Sequence, residues 1–411
     1  MTAMARAPEQ QGGDIRERLG VEPVINLTGT LTTLGGINAR PEAIVAAAEI
    51  LGFGVDMVEL QAAASRAIAA ATGAEAGFVS ACSAAGICMA IAGAMTGDQP
   101  AVIGRLPDTQ GLKNEVVIQT GHLVDYGHPV EQDIRLTGAR AVTVGAVNQV
   151  SAGQLAAAIG PDTAAALYVV SHHCAPDGQL PFADFVRICH ARDVPVIVDL
   201  AAEYDIHGYL AAGADITIHS AHKFLGGATA GIVAGRKALV RAAFLQSQGI
   251  ARPMKVGKEG IAAALAALSL YMAEDRKTVQ AGLRATLLRL RDQLAGMRGI
   301  VAEIDPDPTG NPFDRLRLSV GPEAGFQAVD MVRALENGTP PVRVRTHQIE
   351  HGSFVIDIRS MRDGELPIVG DCLRAAAARA ANGPRTTVQE WKAERGSALA
   401  RWPDSGMEEQ R

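Results

Sequence analysis

The sequence predicts an α/β protein, a doubly wound and mostly parallel sheet with a small α+β C-terminal domain. Short apolar runs at 116–119, 141–144, 165–170, 194–200 and 216–219 alternate with helix-length stretches. Several of these runs are continuously apolar, as strands covered on both faces are. From Ile300 the composition shifts toward Pro, Asp and β-branched residues, with short extended runs at 315–320, 342–347 and 353–358 and a helix at 368–381. A chain of 411 residues is long for one core. The expected division is an N-terminal segment 1–50, a large domain 51–255, linking helices 256–298, a small domain 299–382 and a polar tail 383–411.

Residues 1–20 form a polar lead with a helical pattern from Asp14 to Leu19. An extended stretch from Val24 to Leu27 passes into Thr28-Gly29-Thr30-Leu31-Thr32-Thr33-Leu34-Gly35-Gly36, too rich in Gly and Thr for a regular helix. Composition makes this a loop offering hydroxyls and bare backbone. Pro41 opens a helix that runs to Leu51, and a second helical pattern, 60–72, closes on Gly73.

Phe78-Val79 is a short strand leading into Ser80-Ala81-Cys82-Ser83-Ala84-Ala85-Gly86 and a small-residue helix that reaches Met95. Unpaired amides and the helix dipole converge at such a helix tip, and small side chains let a phosphate approach. Neither a G-x-G-x-x-G nor a Walker A string occurs, so dinucleotide and nucleoside triphosphate readings lack support. The strand 116–119 ends in Thr120-Gly121-His122, where an imidazole can lie over a flat ring or serve as an ordinary loop histidine. His172 and His173 follow the strand 165–170 and are placed to touch a substrate. A helix at 181–193 leads into the central stretch.

There the strand 194–200 carries Asp199 near its carboxyl end, and the strand 216–219 empties into Ser220-Ala221-His222-Lys223. A carboxylate and a lysine at the ends of sequential strands face the crevice where such sheets bind ligands. Lysine forms a Schiff base with an aldehyde, and aspartate keeps a pyridine nitrogen protonated, so the pair suits pyridoxal 5'-phosphate. Taken singly, Lys223 reads as a solvated loop lysine and Asp199 as a helix cap. The phosphate-ready helix tip joins them into a cofactor site.

After Gly249 a basic loop with Arg252, Lys255 and Lys258 precedes an amphipathic region, 261–297, of two helices or one bent helix. That loop either holds an anionic substrate tail or pairs with Glu259. His347-Gln348-Ile349-Glu350-His351 matches the inverted zinc-peptidase string but lies between two β-type runs. Extended residues four apart are roughly 13 Å from each other, too far to share one zinc ion, so no metal is expected.

The formal net charge of -6 and 4% aromatic content leave no basic footprint for nucleic acid. The first 20 residues have no apolar core for a secretory signal, and the apolar stretch 84–95 is too short to span a bilayer. Five cysteines with no C-x-x-C pair suit a reducing compartment, and a cytoplasmic location is expected.

With these residues in place the chain resembles a fold type I pyridoxal phosphate enzyme. More narrowly, it is similar to the family containing selenocysteine synthase (seryl-tRNA selenium transferase) and D-glucosaminate-6-phosphate ammonia-lyase. The similarity covers roughly residues 20–380 and rests on VINLTGTLTTLGG, DMVELQAAASRAIAAATGAE, YGHPVEQDIRLTGARAVTVG, VPVIVDLAAE, the Lys223 loop and RPMKVGKEGIAAALAALSLY. The resemblance implies a Schiff base at Lys223, ring-nitrogen pairing at Asp199, phosphate contacts from Ser83, Ala84, Ala85 and Ser220, ring stacking by His122, and His222 beside the lysine. It implies a substrate carboxylate held by Arg359, which the residues alone leave equally as a surface charge, with Thr32 and His172 nearby, and a homodimer or higher homo-oligomer. The Ser-Ala-His-Lys form is also similar to cysteine desulfurases and other class V aminotransferases, and it lacks the Gly-Gly-Lys and Leu-Arg-Gly-Pro-Gln pattern expected of ammonia-lyase relatives. The implied activity is α,β-elimination on a small hydroxy amino acid, with the freed lysine removing the α-proton. A racemase, aldolase, aminotransferase or β-replacement enzyme would share every residue named, and a non-catalytic scaffold would keep the fold alone.

Overall fold

The structure, a computed structural model, describes residues 14–362 and 364–403. The described residues divide into two compact units, one formed by residues 30–280 with 307–313, the other by residues 14–29, 281–306 and the described residues from Asp314 to 403. Strand β1 (Ile25–Leu27) belongs to the second of these.

The first unit is built on a seven-stranded sheet of β2 (Ala76–Ser80), β3 (Glu115–Gln119), β4 (Arg140–Val144), β5 (Thr163–Val169), β6 (Val196–Asp199), β7 (Ile216–Ser220) and β8 (Gly231–Gly235). Their order is β2-β8-β7-β6-β5-β3-β4, and only β8 runs antiparallel to its neighbours. Strands β6, β7 and β8 are buried along their whole length, which is why their sequences are apolar without alternation. The helix Ser83–Thr96 covers one face, where Ile87 and Ile91 join Phe78, Ile118, Leu167 and Ile218 in one core. Phe185, Val196 and Val198 anchor the core on the opposite face.

In the second unit β9 (Ile300–Pro306), β10 (Asp314–Val320) and β12 (Ser353–Ile356) form an antiparallel sheet with β10 in the middle. Strand β1 pairs in parallel with β11 (Val342–Val344), Ile25 opposite Val342. The core gathers Leu27, Leu316, Val332, Phe354 and Leu373.

Several expected boundaries move. The segment 1–50 is not one body, because β1 is held by β11 whereas the helix Pro41–Leu51 lies in the sheet-bearing unit. The linking region is two helices, Lys258–Ala273 and Arg276–Gln293, and the division between the units falls within the second. Loop 307–313 joins β9 to β10 yet belongs to the first unit. Within the expected tail, the described residues form a helix, Val388–Ala400, whose Trp391 is buried, donates Nε1–H to Glu336 Oε2 at 2.8 Å and carries Arg395 over its ring at 4.8 Å. The zinc-like string is a turn followed by a 3-10 helix, Ile349–His351, and so is neither extended nor α-helical. Among the described residues no helix is long and apolar enough to cross a membrane.

Candidate active site

Strands β6 and β7 lie side by side in parallel, with Asp199 opposite Ile218. Beyond the paired residues, Leu200 N–H donates to Ile218 O at 2.8 Å and Ser220 N–H to Ala201 O at 3.1 Å. The two chain segments therefore leave the sheet together, and Asp199 and Lys223 share its carboxyl edge. Asp199 is 7% exposed, and burial pushes its carboxyl up to about 6 against the Lys223 charge and an Ala201 N–H at 3.1 Å from Oδ1.

Lys223 sits within a single π-type turn, Ala221–Leu225, rather than on an open loop, and its own φ of -95° and ψ of -114° are not helical. Gly226 closes the turn in the left-handed region. Next to Lys223, His222 is buried and its Nδ1 lies 2.9 Å from Ser220 Oγ. Burial, aided by the Lys223 charge, pulls this imidazole down to about 4, so it is neutral at pH 7. Its Nε2 is buried with no hydrogen-bond partner among the described residues.

The Gly- and Thr-rich loop covers this turn. Ile37 N–H donates to His222 O at 3.2 Å, and Gly36, at φ +82°, packs so tightly that a Cβ there would lie 2.3 Å from His222 O. Thr32, placed at the substrate by resemblance, lies exposed in the 3-10 helix Thr32–Leu34 of this loop.

At the tip of Ser83–Thr96, Cys82 caps the helix through Sγ, which accepts from Ala85 N–H at 3.4 Å. The amides of Ser83 and Ala84 begin the first turn, where a helix has no acceptors of its own. Ser220, expected at the phosphate, is fully buried and bonded to His222.

His122 ends β3 in the 3-10 helix Thr120–His122 and is buried. Its Nδ1 accepts from Val169 N–H at 3.1 Å and its ring meets Tyr168 edge-on at 4.5 Å. Burial lowers it to about 4. His172 is half-buried, its ring 4.0 Å from that of His173.

Arg359 lies in the second unit, 7% exposed, with Nε 2.9 Å from Asp357 Oδ1 and a second contact from Nη2 to Oδ2. Arg315 Nε reaches the same Asp357 at 3.2 Å. Burial raises that carboxyl, but Arg359, Arg315 and Arg345 together hold it well below the usual carboxylate range. Lys258 Nζ bonds the carbonyls of Leu51 and Phe53, closing the end of the helix Pro41–Leu51, whereas Arg252 and Lys255 are exposed.

Two groups escaped the sequence reading. Glu203, four residues past Asp199, is buried and pushed up to about 7 by that burial, while accepting from Thr309 Oγ1 at 3.0 Å and Asn311 Nδ2 at 2.9 Å. Tyr126, His128 and Asp133 form a hydrogen-bonded ring on the segment after His122. Position after a strand end is the signal that would have found Glu203; the second group lies in the stretch YGHPVEQD, which carries the family resemblance, but its spacing of two and seven residues matches no single element and so gave it no role.

The family model of L-seryl-tRNA selenium transferase matches residues 24–298. D-glucosaminate-6-phosphate ammonia lyase of Salmonella typhimurium is 38% identical over 370 residues, 90% of this chain and 99% of the relative. A solved structure of D-glucosaminate-6-phosphate ammonia-lyase superposes with a TM-score of 0.82 at 37% identity, covering 90% of this chain and 99% of that one. A 5'-C-glycyluridine monooxygenase-decarboxylase from Streptomyces sp. is 36% identical over 86% of this chain and 90% of its own. Serine palmitoyltransferase of Sphingomonas wittichii, at 15% identity and a TM-score of 0.56 over 88% of each chain, shares the fold, that of the fold type I enzymes.

Proposed function

Because this chain belongs to the L-seryl-tRNA selenium transferase family, we propose that it is a pyridoxal phosphate-dependent ammonia-lyase acting by α,β-elimination on an amino acid with a hydroxyl at the β-carbon. The observation that carries the reading is the placement of Asp199 and Lys223 on one edge of two paired parallel strands. The residues present fit the cofactor. His222 Nε2 is a buried polar atom awaiting a partner, Asp199 is a buried acid facing the Lys223 charge, and the tip of Ser83–Thr96 offers amides to an anion.

Bound there, pyridoxal phosphate supplies an aldehyde for amines and a ring that accepts electrons from the adjoining carbon. Asp199 holds the proton on the ring nitrogen. The amides of Ser83 and Ala84 would hold the phosphate, whereas the Ala85 N–H, expected there as well, is already given to Cys82 Sγ at 3.4 Å. With the Ser220 O–H given to Nδ1, neutral His222 would carry its proton on Nε2, beside Lys223, available to a bound group. His122 closes one side of the ring. Lys223 Nζ would bind the cofactor aldehyde at rest and, once free, would be the base that takes the proton from the substrate α-carbon. The resemblance assigns a substrate carboxylate to Arg359, whose orientation Asp357 fixes within its own unit; Thr32 and His172 remain substrate candidates of the sheet-bearing unit.

We infer further that a second copy of this chain covers the apolar residues Ile44, Val45, Phe53 and Val58, each more than half exposed, and the five free cysteines support a cytoplasmic location. Light scattering that finds only monomer removes the first of these statements. The test of function is an amino-acid panel containing D-glucosaminate 6-phosphate and both enantiomers of serine and threonine. Ammonia release without an added amino acceptor supports the lyase. Oxygen consumption with carbon dioxide release moves the assignment toward the chemistry named for the 36%-identical relative.

A further inference from the structure

Elimination of a hydroxyl needs an acid, because hydroxide leaves poorly. The buried histidines His122, His219 and His222 do not provide one. Burial holds His122, His219 and His222 near 4, so all three are neutral at pH 7. A different proton source stands on the same rim of the sheet.

Asp133, in the helix Val130–Leu136, has a side chain only 1% exposed. Tyr126 O–H donates to its Oδ2, His128 Nε2 lies 3.1 Å from its Oδ1, and the same Nε2 is 2.8 Å from the Tyr126 oxygen. Cys88, on the helix Ser83–Thr96, donates Sγ–H to Asp133 O at 3.3 Å. The buried carboxylate thus orients an imidazole and a phenol that are each about one-third exposed, at 33% and 37%, the arrangement of a base held by its orienting acid. The group follows the carboxyl end of β3, where Val124 N–H donates to His122 O at 2.9 Å and Val130 N–H to Val124 O at 2.9 Å, and it is close enough to Asp199 for that charge to act on Tyr126. Burial and the Asp133 and Asp199 charges raise the phenol, which keeps its proton on at neutral pH.

We propose that Tyr126 is the acid that protonates the departing hydroxyl, with His128 and Asp133 as its positioning and proton-supplying partners. The inference rests on the elimination reading above. The carbon–oxygen bond at the β-carbon breaks, its electron pair leaves on oxygen, and the Tyr126 phenolic proton goes to that oxygen to release water. The Tyr126 oxygen takes the proton of His128 Nε2, and solvent restores a proton at His128 Nδ1. Nothing is oxidised or reduced. At rest the phenolic proton is held by Asp133. Turning it toward a substrate breaks that one hydrogen bond while His128 still holds the phenol oxygen.

The test uses the holoenzyme, with the hydroxy amino acid it turns over and β-chloroalanine, whose chloride leaves without a proton. Tyr126→Phe should release ammonia at least about 100-fold more slowly from the hydroxy substrate. It should keep α-hydrogen exchange with deuterated water within threefold of wild type and eliminate chloride at the wild-type rate. His128→Gln, a change at a part-exposed loop residue, should show the same split at smaller amplitude and serves if Tyr126→Phe misfolds. In the apo-protein a downfield imidazole proton from His128 should be lost in Asp133→Asn. Equal losses of exchange and ammonia release, equal losses with both leaving groups, or no loss at all would overturn the proposal and leave Lys223 as the donor. A wild type that eliminates neither compound removes the elimination reading itself, a separate outcome.

Discussion

The seating of the Gly- and Thr-rich loop on the lysine turn is open to a paired substitution. Gly35 and Gly36 have nearly the same backbone, φ +83° and φ +82°, but a Cβ at Gly35 would meet nothing within 4 Å whereas one at Gly36 would lie 2.3 Å from His222 O and 2.6 Å from its ring Cδ2. Gly35→Ala therefore carries only the left-handed penalty, about 1–2 kcal/mol. Gly36→Ala carries the same penalty and must also displace a backbone carbonyl by roughly 1 Å, an overpacking cost of about 1–3 kcal/mol. That carbonyl belongs to the residue before Lys223, so any relief by lifting the loop appears as loss of cofactor, tenfold in affinity for about 1.4 kcal/mol. Urea unfolding and a pyridoxal phosphate titration on both variants measure the two routes. The sum of the two losses should be at least about 1 kcal/mol larger for Gly36→Ala than for Gly35→Ala. Equal behaviour of the two variants refutes the contact between this loop and His222.

Other consequences follow from the buried charges. Asp199 rises from 3.8 to about 6 on folding, so its ionised form is the one penalised and the apo-protein loses stability as pH climbs from about 4 to about 6, by about 3 kcal/mol. Asp199→Asn should thus melt above the wild-type apo-protein at pH 8 and match it at pH 4, while losing the cofactor; a lower melting point at pH 8 contradicts the burial argument. Glu203 behaves in the same sense between 4.5 and about 7, and Glu203→Gln should shrink the loss of apo-protein stability between pH 5 and pH 8, an unchanged loss being the contrary result. Asp357→Ala leaves the buried side chains of Arg315 and Arg359 without their shared acid and should destabilise by about 3–5 kcal/mol; wild-type stability in urea would show that this cluster does not hold the second unit together.

The parts of the fold that were legible in the sequence are those whose local pattern agrees with their burial. Strands β5, β6 and β7 read directly, because covering on both faces demands unbroken apolar runs. Strand β8 did not, since Gly231-Ile232-Val233-Ala234-Gly235 is masked by the Gly- and Ala-rich stretch before it and its antiparallel pairing with β2 and β7 is a tertiary fact. Strand β9 alternates between partly covered and exposed residues at the edge of its sheet, so it carries no continuous run. The membership of β1 in the second unit depends on a partner more than 300 residues away, beyond any local signal. At the site, the acid and the lysine were visible because each ends a readable strand. The Tyr126, His128 and Asp133 group was not, because its geometry is made by a loop folding back on the helix that follows it.

The most direct measurement is the absorbance of the purified protein reconstituted with pyridoxal phosphate, for wild type and Lys223→Ala. The account predicts a wild-type band near about 420 nm that borohydride fixes onto the peptide containing Lys223 and that Lys223→Ala does not form. A wild type that stays colourless, or a band that survives the loss of this lysine and is fixed elsewhere, contradicts it.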